Sequence, residues 1–255
     1  MSLFSLFSPA LARLRRTAMA AVDTLLPPRC LGSGKIVDRP GMLDAGFWAE
    51  LAFISSPACA CCGLPFSFSA EDGSLCAACI DTPPDFDMAR AAVVYNDASR
   101  QLVLDFKYGD KMHAVKTFDP WLSRAAAAMI GETDIVVPVP LHPKRLWQRR
   151  FNQSALLADT LARAAALPCL PDGMMRKRFT QPQKGLSRTE RHTNVRGAFA
   201  VTPRHQAALA GKRVMIVDDV FTSGATLNEC ARVLKRAGAA KVFVVTLARV
   251  TREEF

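Results

Sequence analysis

Asp218 and Asp219 stand side by side after the apolar run Val214-Met215-Ile216-Val217, and Val220-Phe221 leads from them into Thr222-Ser223-Gly224-Ala225-Thr226. Adjacent carboxylates can accept hydrogen bonds from two neighbouring sugar hydroxyls or hold a hydrated Mg²⁺. The loop offers backbone N–H groups, three hydroxyls and a glycine that lets the chain turn closely around an anion. A helix predicted over 226–236 would bring its positive end to the same place. Acceptors at one end and an anion cradle at the other suit a phosphorylated ribose. A plain strand, turn and capped helix explains one acid or one threonine, but not both acids and the whole loop. Neither G-x-x-x-x-G-K-S/T nor G-x-G-x-x-G after a strand occurs, which disfavours the ATP and dinucleotide folds.

Such residues need a scaffold. The run 214–217 reads as a parallel strand buried on both faces, and open α/β sheets place ligands at the carboxyl ends of such strands. Other strands are predicted over 90–95, 134–139 and 241–248. Helices are predicted over 99–108, 112–130 and 152–166, with Pro120 expected to kink or divide the second. Strands alternating with helices imply an α/β fold with a mostly parallel, doubly wound sheet. After the strand at 134–139 comes a basic stretch with Pro140, Leu141, His142, Lys144, Arg145, Arg149 and Arg150. Beside the acidic pair it would bind a pyrophosphate group; by itself it would be a solvated turn. The polar segment 180–196 carries Lys184, Arg188 and Arg191, and reads either as a closing loop or as plain surface.

The order of apolar strand, Asp-Asp and hydroxyl-glycine loop resembles the motif of the type I phosphoribosyltransferases, which bind 5-phosphoribosyl-1-pyrophosphate (PRPP). Val137-Pro138-Val139-Pro140-Leu141-His142, Arg150-Phe151-Asn152-Gln153, Gly185-Leu186-Ser187-Arg188, Arg191, Asn194-Val195 and Gly197-Ala198-Phe199 narrow the resemblance to the ComF family of competence-associated, phosphoribosyltransferase-like proteins. It implies that Asp218 and Asp219 take the ribose hydroxyls and that Thr222, Ser223, Gly224, Ala225 and Thr226 take the 5′-phosphate. It also implies a pyrophosphate loop at Pro140, Leu141, His142, Lys144, Arg145 and Arg150, with Mg²⁺ accompanying PRPP. Lys184, Arg188 and Arg191 would close over the pyrophosphate as the catalytic loop. Family members frequently read Arg-Gly-Phe-Asn-Gln where this chain has Arg149-Arg150-Phe151-Asn152-Gln153.

Four cysteines form Cys59-x2-Cys62-x13-Cys76-x2-Cys79, the spacing of a structural Zn²⁺ site. Disulfides and redox use of a single C-x-x-C are the competing readings; the first suits an exported chain and the second leaves one pair unexplained. Cys61 reads as a bystander, and Cys169 and Cys230 as packing residues. Upstream, Cys30-x2-Ser33-Gly34 and Leu43-Asp44-x2-Phe47 repeat the pattern with one thiol of four. This resembles a double zinc ribbon whose first half has lost its ligands, with Phe47 and Trp48 filling the space and Cys30 a buried thiol.

Residues 1–26 are expected to form an amphipathic surface helix, 27–82 the ribbon module and 85–255 the phosphoribosyltransferase-like domain, with Pro83-Pro84 between the last two. The arginines at 13–16 follow the first apolar run, unlike a secretion signal, and no run is long enough to span a membrane, so the cytoplasm is the expected location. Half of the 255 residues are apolar, enough for a core without disulfides, and the net charge of +10 favours polyanionic or phosphate-rich partners. Two functions remain open. One is transfer of phosphoribose from PRPP to an unidentified acceptor. The other is a silent PRPP- or nucleic-acid-binding module that engages single-stranded DNA or DNA-processing proteins.

Overall fold

The computed structural model describes residues 27–108, 114–180 and 187–251. The predicted helix over 1–26 and Lys184 lie outside these residues. In chain order the elements are α1 (Ala45–Ala49), α2 (Ala77–Asp81), β1 (Met88–Val94), α3 (Asp97–Tyr108), α4 (Val115–Ile130), β2 (Ile135–Pro138), α5 (Pro143–Arg149), α6 (Gln153–Ala164), β3 (Met174–Arg176), α7 (Arg188–Val195), β4 (Phe199–Val201), α8 (Gln206–Leu209), β5 (Arg213–Phe221), α9 (Ala225–Arg236) and β6 (Lys241–Arg249). β1, β6, β5 and β2 lie in that order in one parallel sheet, and β3 pairs antiparallel with β4.

Period-two alternation assigns the sheet's side chains to two cores. Met215, Val217, Phe243, Val245 and Leu247 join one, with Phe106 of α3, Phe118 of α4 and Leu157 of α6. Val214, Ile216, Val242 and Val244 join the other, with Leu227, Cys230 and Leu234 of α9. Cys230 therefore packs as expected; Cys169 is half-buried against the first core.

Two elements differ from the sequence expectation. α4 runs unbroken through Pro120. The N–H that proline lacks would have bonded Lys116, and both residues face solvent, so water can take the freed carbonyl. β5 extends past Val217 through both aspartates to Phe221, because β6 continues beside it with Asp218 opposite Thr246 and Phe221 opposite Arg249. β2 ends opposite Val217. Beyond that point the β2 side of β5 has no strand partner, and a cleft opens there.

The cysteine-rich segment consists of two matching units. In the first, Cys30 N–H donates to Lys35 O and Gly34 N–H to Cys30 O; in the second, Cys59 N–H donates to Leu64 O and Gly63 N–H to Cys59 O. Gly34 and Gly63 have φ of 71° and 69°. Each unit closes on a short helix, with Asp44 as the N-cap of α1 and Cys76 as that of α2. The second unit lies against the edge of the sheet, where Ala89 N–H donates to Cys61 O. The connector between the units forms an antiparallel bridge, Phe53 to Val93. An otherwise open strand edge is thereby covered.

Candidate functional site

The cleft beyond β2 has a volume of about 200 Å³ and is lined by Asp218, Asp219, Thr222, Gly224 and Thr226 together with Leu141, Arg145, Arg149, Lys107 and Arg176. Asp218 accepts a hydrogen bond from Ser154 Oγ at 2.8 Å and another from the Asp219 N–H at 2.9 Å. Burial, followed by the charge of Asp219, raises the Asp218 carboxyl to about 7. Asp219 forms an ion pair with Lys107 Nζ at 2.9 Å.

At the turn into α9, Gly224 has a φ of 78° and is the N-cap. A Cβ there would come within 2.9 Å of the Phe221 ring. Left-handed backbone and close packing both favour glycine at this point. Ala225 is buried as the first residue of α9, and Ser223 lines an adjoining groove with Gly224.

The stretch after β2 divides between cleft and support. Leu141 and Arg145 reach the cleft; Pro140, His142, Lys144 and Arg150 are not among its lining residues. His142 is the N-cap of α5, its Nδ1 accepting from Lys144 N–H at 3.3 Å. Asn152 caps α6 and donates to Val139 O at 3.1 Å, while Gln153 donates to Lys107 O at 3.2 Å. The Asn-Gln pair therefore fastens the loop after β2 to the end of α3. Arg150, where the family resemblance led to an expectation of glycine, has a φ of 66°. The left-handed turn is retained without the residue best suited to it.

Arg188 and Arg191 belong to α7, a helix with a Ser187/Glu190 capping box, and Arg191 is not among the residues lining the cleft. The end of that segment is held on α9, where Glu229 accepts from Gly197 N–H at 2.7 Å.

Arg149, from the basic stretch expected to bind pyrophosphate, also lines the cleft, whereas Lys107, Ser154 and Arg176 are cleft residues absent from the site predicted from sequence. Arg176 had a legible signal, a cation in the apolar stretch Met174-Met175 that becomes β3. It is buried, donates to Thr180 Oγ1, and stacks 5.1 Å from the Phe199 ring centroid. Its Nε meets no acceptor among the described residues. Burial, then neighbouring Arg145, lowers its guanidinium to about 10. A buried arginine with an unmet donor in a cleft carrying three further cations suits a polyanion.

The sulfur atoms of Cys59, Cys62, Cys76 and Cys79 all lie within 4.8 Å of one another. Four buried cysteines converging in this way fit tetrahedral zinc. Burial opposes ionisation of Cys59, but N–H groups of Cys76, Cys62 and Cys61 bring its thiol down to about 7; burial raises Cys62 to about 11 against the pull of Arg249. Two arginines of the sheet secure this unit. Arg90 donates to Ala60 O at 3.0 Å. Arg249 donates to Cys62 O at 2.6 Å and to Cys62 Sγ at 3.3 Å, with its guanidinium 4.0 Å from the Phe221 ring centroid.

The corresponding positions of the first unit also converge, with different chemistry. Ser33 Oγ donates to Asp44, Ser33 N–H approaches Cys30 Sγ at 3.5 Å, and Phe47 is buried close against Gly32. A hydrogen bond and an aromatic ring stand where the other unit has cysteine sulfurs. Trp48, expected in this space, is instead half-exposed and lies 4.7 Å from the Phe53 ring.

Residues 21–80 match the double zinc ribbon domain and residues 152–254 the phosphoribosyl transferase domain. The chain is 30% identical over 200 residues to Competence protein F of Haemophilus influenzae, covering 76% of this chain and 86% of that protein. It is also 30% identical over 218 residues to DNA utilization protein YhgH of Escherichia coli O157:H7, covering 81% and 93%. Among solved structures it is similar to the glutamine PRPP amidotransferase of B. subtilis, at a TM-score of 0.38 and 23% identity over 56% of this chain and only 30% of that one. With a zinc ribbon set against a phosphoribosyltransferase-type sheet, and relatives matched over more than four-fifths of their length, this chain belongs to the ComF family of phosphoribosyltransferase-like proteins.

Proposed function

We propose that the cleft binds PRPP with Mg²⁺ and that the protein transfers its phosphoribosyl group to an acceptor. The observation that carries this reading is the joint lining of one cleft by two aspartates, a glycine-capped helix start and four cations, Lys107, Arg145, Arg149 and Arg176. Asp218 and Asp219 would hold the ribose hydroxyls, and the turn at 222–226 the 5′-phosphate. The cations would face the pyrophosphate; Mg²⁺, when bound, would neutralise part of its charge. In the reaction an acceptor nucleophile forms a bond to ribose C1 while the C1–O bond breaks and pyrophosphate leaves with the electron pair. A proton lost by the acceptor passes to solvent. Preorganised cations stabilise the charge developing on the leaving group.

Relatives named for competence and DNA utilization suggest a setting in DNA handling. Binding without turnover is the second reading, favoured by the Lys107–Asp219 ion pair, which engages one carboxylate meant for ribose. Calorimetric titration of PRPP into zinc-loaded protein with Mg²⁺ tests both readings, alongside Asp218→Ala/Asp219→Ala. Binding by the wild type and loss in the variant are expected. A folded wild type that binds no PRPP defeats both PRPP readings. Binding without release of pyrophosphate across a panel of candidate acceptors favours the silent module.

A further inference from the structure

An apolar groove of about 380 Å³ lies between the first cysteine-rich unit and α4, lined by Met42, Leu43, Trp48, Phe53, Trp121 and Arg124 among others. Its rings form a cluster. The Trp48 centroid lies 4.7 Å from that of Phe53 and 6.0 Å from that of Trp121, and Phe53 meets Trp121 edge-on at 5.2 Å. Trp121 is buried, but Trp48 and Met42 are 49% and 44% exposed. Arg124 is already engaged: it donates to Ile54 O at 3.0 Å, with its guanidinium 5.4 Å from the Phe53 centroid.

The chain carries a matching surface just before this unit. Ser8-Pro9 is a helix start, with serine at the N-cap and proline at the first helical position, and Pro27-Pro28 ends the run. Between them Leu11, Leu14, Ala18, Val22 and Leu25 recur every three or four residues and so form one stripe at helical spacing, while Arg13, Arg16 and Thr24 fall opposite. These residues lie outside the described ones, but the point where the chain leaves them is placed. Pro28 O accepts from Val37 N–H at 2.9 Å, and Arg29 bridges to Ile36. The segment is therefore attached to the same unit that forms one wall of the groove. Ile36, at this attachment, is itself 64% exposed.

We infer that residues 9–26 dock as a helix in this groove, burying the stripe from Leu11 to Leu25 against Met42, Trp48 and Phe53. The inference rests on the groove and the sequence before it, and is independent of the PRPP reading. Attachment selects this occupant over a second copy or a membrane surface, because a segment tethered beside its site has an effective concentration on the order of mM. In water a helix of this length and composition is marginal on its own, so an apolar partner surface is what would hold it.

The test is amide hydrogen exchange, read by mass spectrometry on the zinc-loaded full chain. Amides of 12–26 are expected to exchange at least about tenfold more slowly than in the free peptide 1–26. Met42→Ser/Trp48→Ser should abolish that protection. Leu11→Asp/Leu14→Asp should abolish it too and speed exchange at 42–53. Ile80→Ser, at an exposed apolar residue of α2, should leave it unchanged. Free-peptide rates in the wild type overturn the inference. Protection that survives the groove variant, that arises only with phosphatidylglycerol vesicles, or that falls on dilution also overturns it, since the segment then covers another face, a membrane or a second copy. Exchange at β5 and β6 in the same spectra shows whether each variant is folded. An unfolded groove variant is replaced by Met42→Gln/Trp48→His, and the stripe variant changes no residue of the described units.

Discussion

Arg249→Met separates two roles of one buried side chain. In the wild type the guanidinium donates to Cys62 O at 2.6 Å, approaches Cys62 Sγ at 3.3 Å and covers the Phe221 ring at 4.0 Å. Loss of the charged hydrogen bond costs about 1.5–3 kcal/mol, and loss of a desolvated cation–π contact about 2 kcal/mol. Against these stands relief of a buried charge whose Nε meets no acceptor among the described residues, worth about 1–2 kcal/mol. The net is a destabilisation of about 1.5–4 kcal/mol, or roughly 3–16 °C in Tm for a chain of this size. Because Arg249 also touches a zinc ligand, zinc affinity should fall about 10–100-fold, the usual scale for residues behind metal ligands. Phe221 packs under Gly224 of the proposed phosphate turn, so PRPP binding should weaken with it. Differential scanning calorimetry, competition with a chromogenic chelator and PRPP titration give the three readouts. Arg249→Lys keeps the charge but loses the fork, and should fall between. A Tm within about 1 °C of wild type with unchanged chelator competition would refute the reasoning. A fall in Tm with zinc affinity intact would refute the link to the thiolate.

The first unit of the ribbon should bind no metal, so mass spectrometry of the purified chain should find one zinc per molecule. Ser33→Cys/Asp44→Cys/Phe47→Cys, completing a four-thiol set with Cys30, should bring the count to two; a count that stays at one would show that the unit no longer has ribbon geometry. Asp218→Asn should be more stable than wild type and unable to bind PRPP. A free aspartate titrates near 3.9, whereas Asp218 is raised to about 7, so between these values the folded protein holds a proton that the unfolded chain has released. Wild-type stability therefore falls as pH rises through that window; the variant's advantage should widen from pH 4 to 7 in urea titrations, and a constant advantage would contradict the assignment. Arg150→Gly should stabilise by about 0.5–1 kcal/mol, since relief of left-handed strain slightly exceeds the added chain entropy; destabilisation by denaturant titration would show that the Arg150 side chain matters more than its backbone.

The sheet, the acidic pair, the glycine turn and the four-cysteine cluster were legible because each is carried by neighbouring residues. Val214 to Val217 read as a buried strand by their own composition, and the two C-x-x-C pairs by their spacing. Less legible was whatever depends on a neighbour distant in sequence. β5 continues through the aspartates because β6 runs on beside it, a fact of pairing that the residues at 218–221 do not carry. Lys107 and Arg176 enter the cleft from α3 and β3, each separated from Asp218 by dozens of residues. His142 looked like a phosphate ligand beside its basic neighbours, but in the folded chain it caps α5. Pro120 looked like a break because the local rule cannot register that the freed carbonyl lies at a solvent-facing position.

The loss of three ligands from the first ribbon unit bears on what the module contributes. If its purpose were metal binding alone, the degenerate unit would be free to lose its shape. It has instead kept the turn hydrogen bonds, the left-handed glycine and the capped helix, and Asp44 now serves as cap and as partner of Ser33. Its buried residues Cys30, Leu31 and Phe47 belong to the same core as Phe106 and Phe118, which pack at the end of α3 that carries Lys107. The second unit reaches the glycine turn through Arg249, which covers the Phe221 ring that packs against Gly224. One unit thus supports the side that supplies Lys107 to Asp219, and the other the side that carries the glycine turn. On this account a metal is needed only where the local apolar core is too small to hold the unit, and Phe47 replaces it in the first.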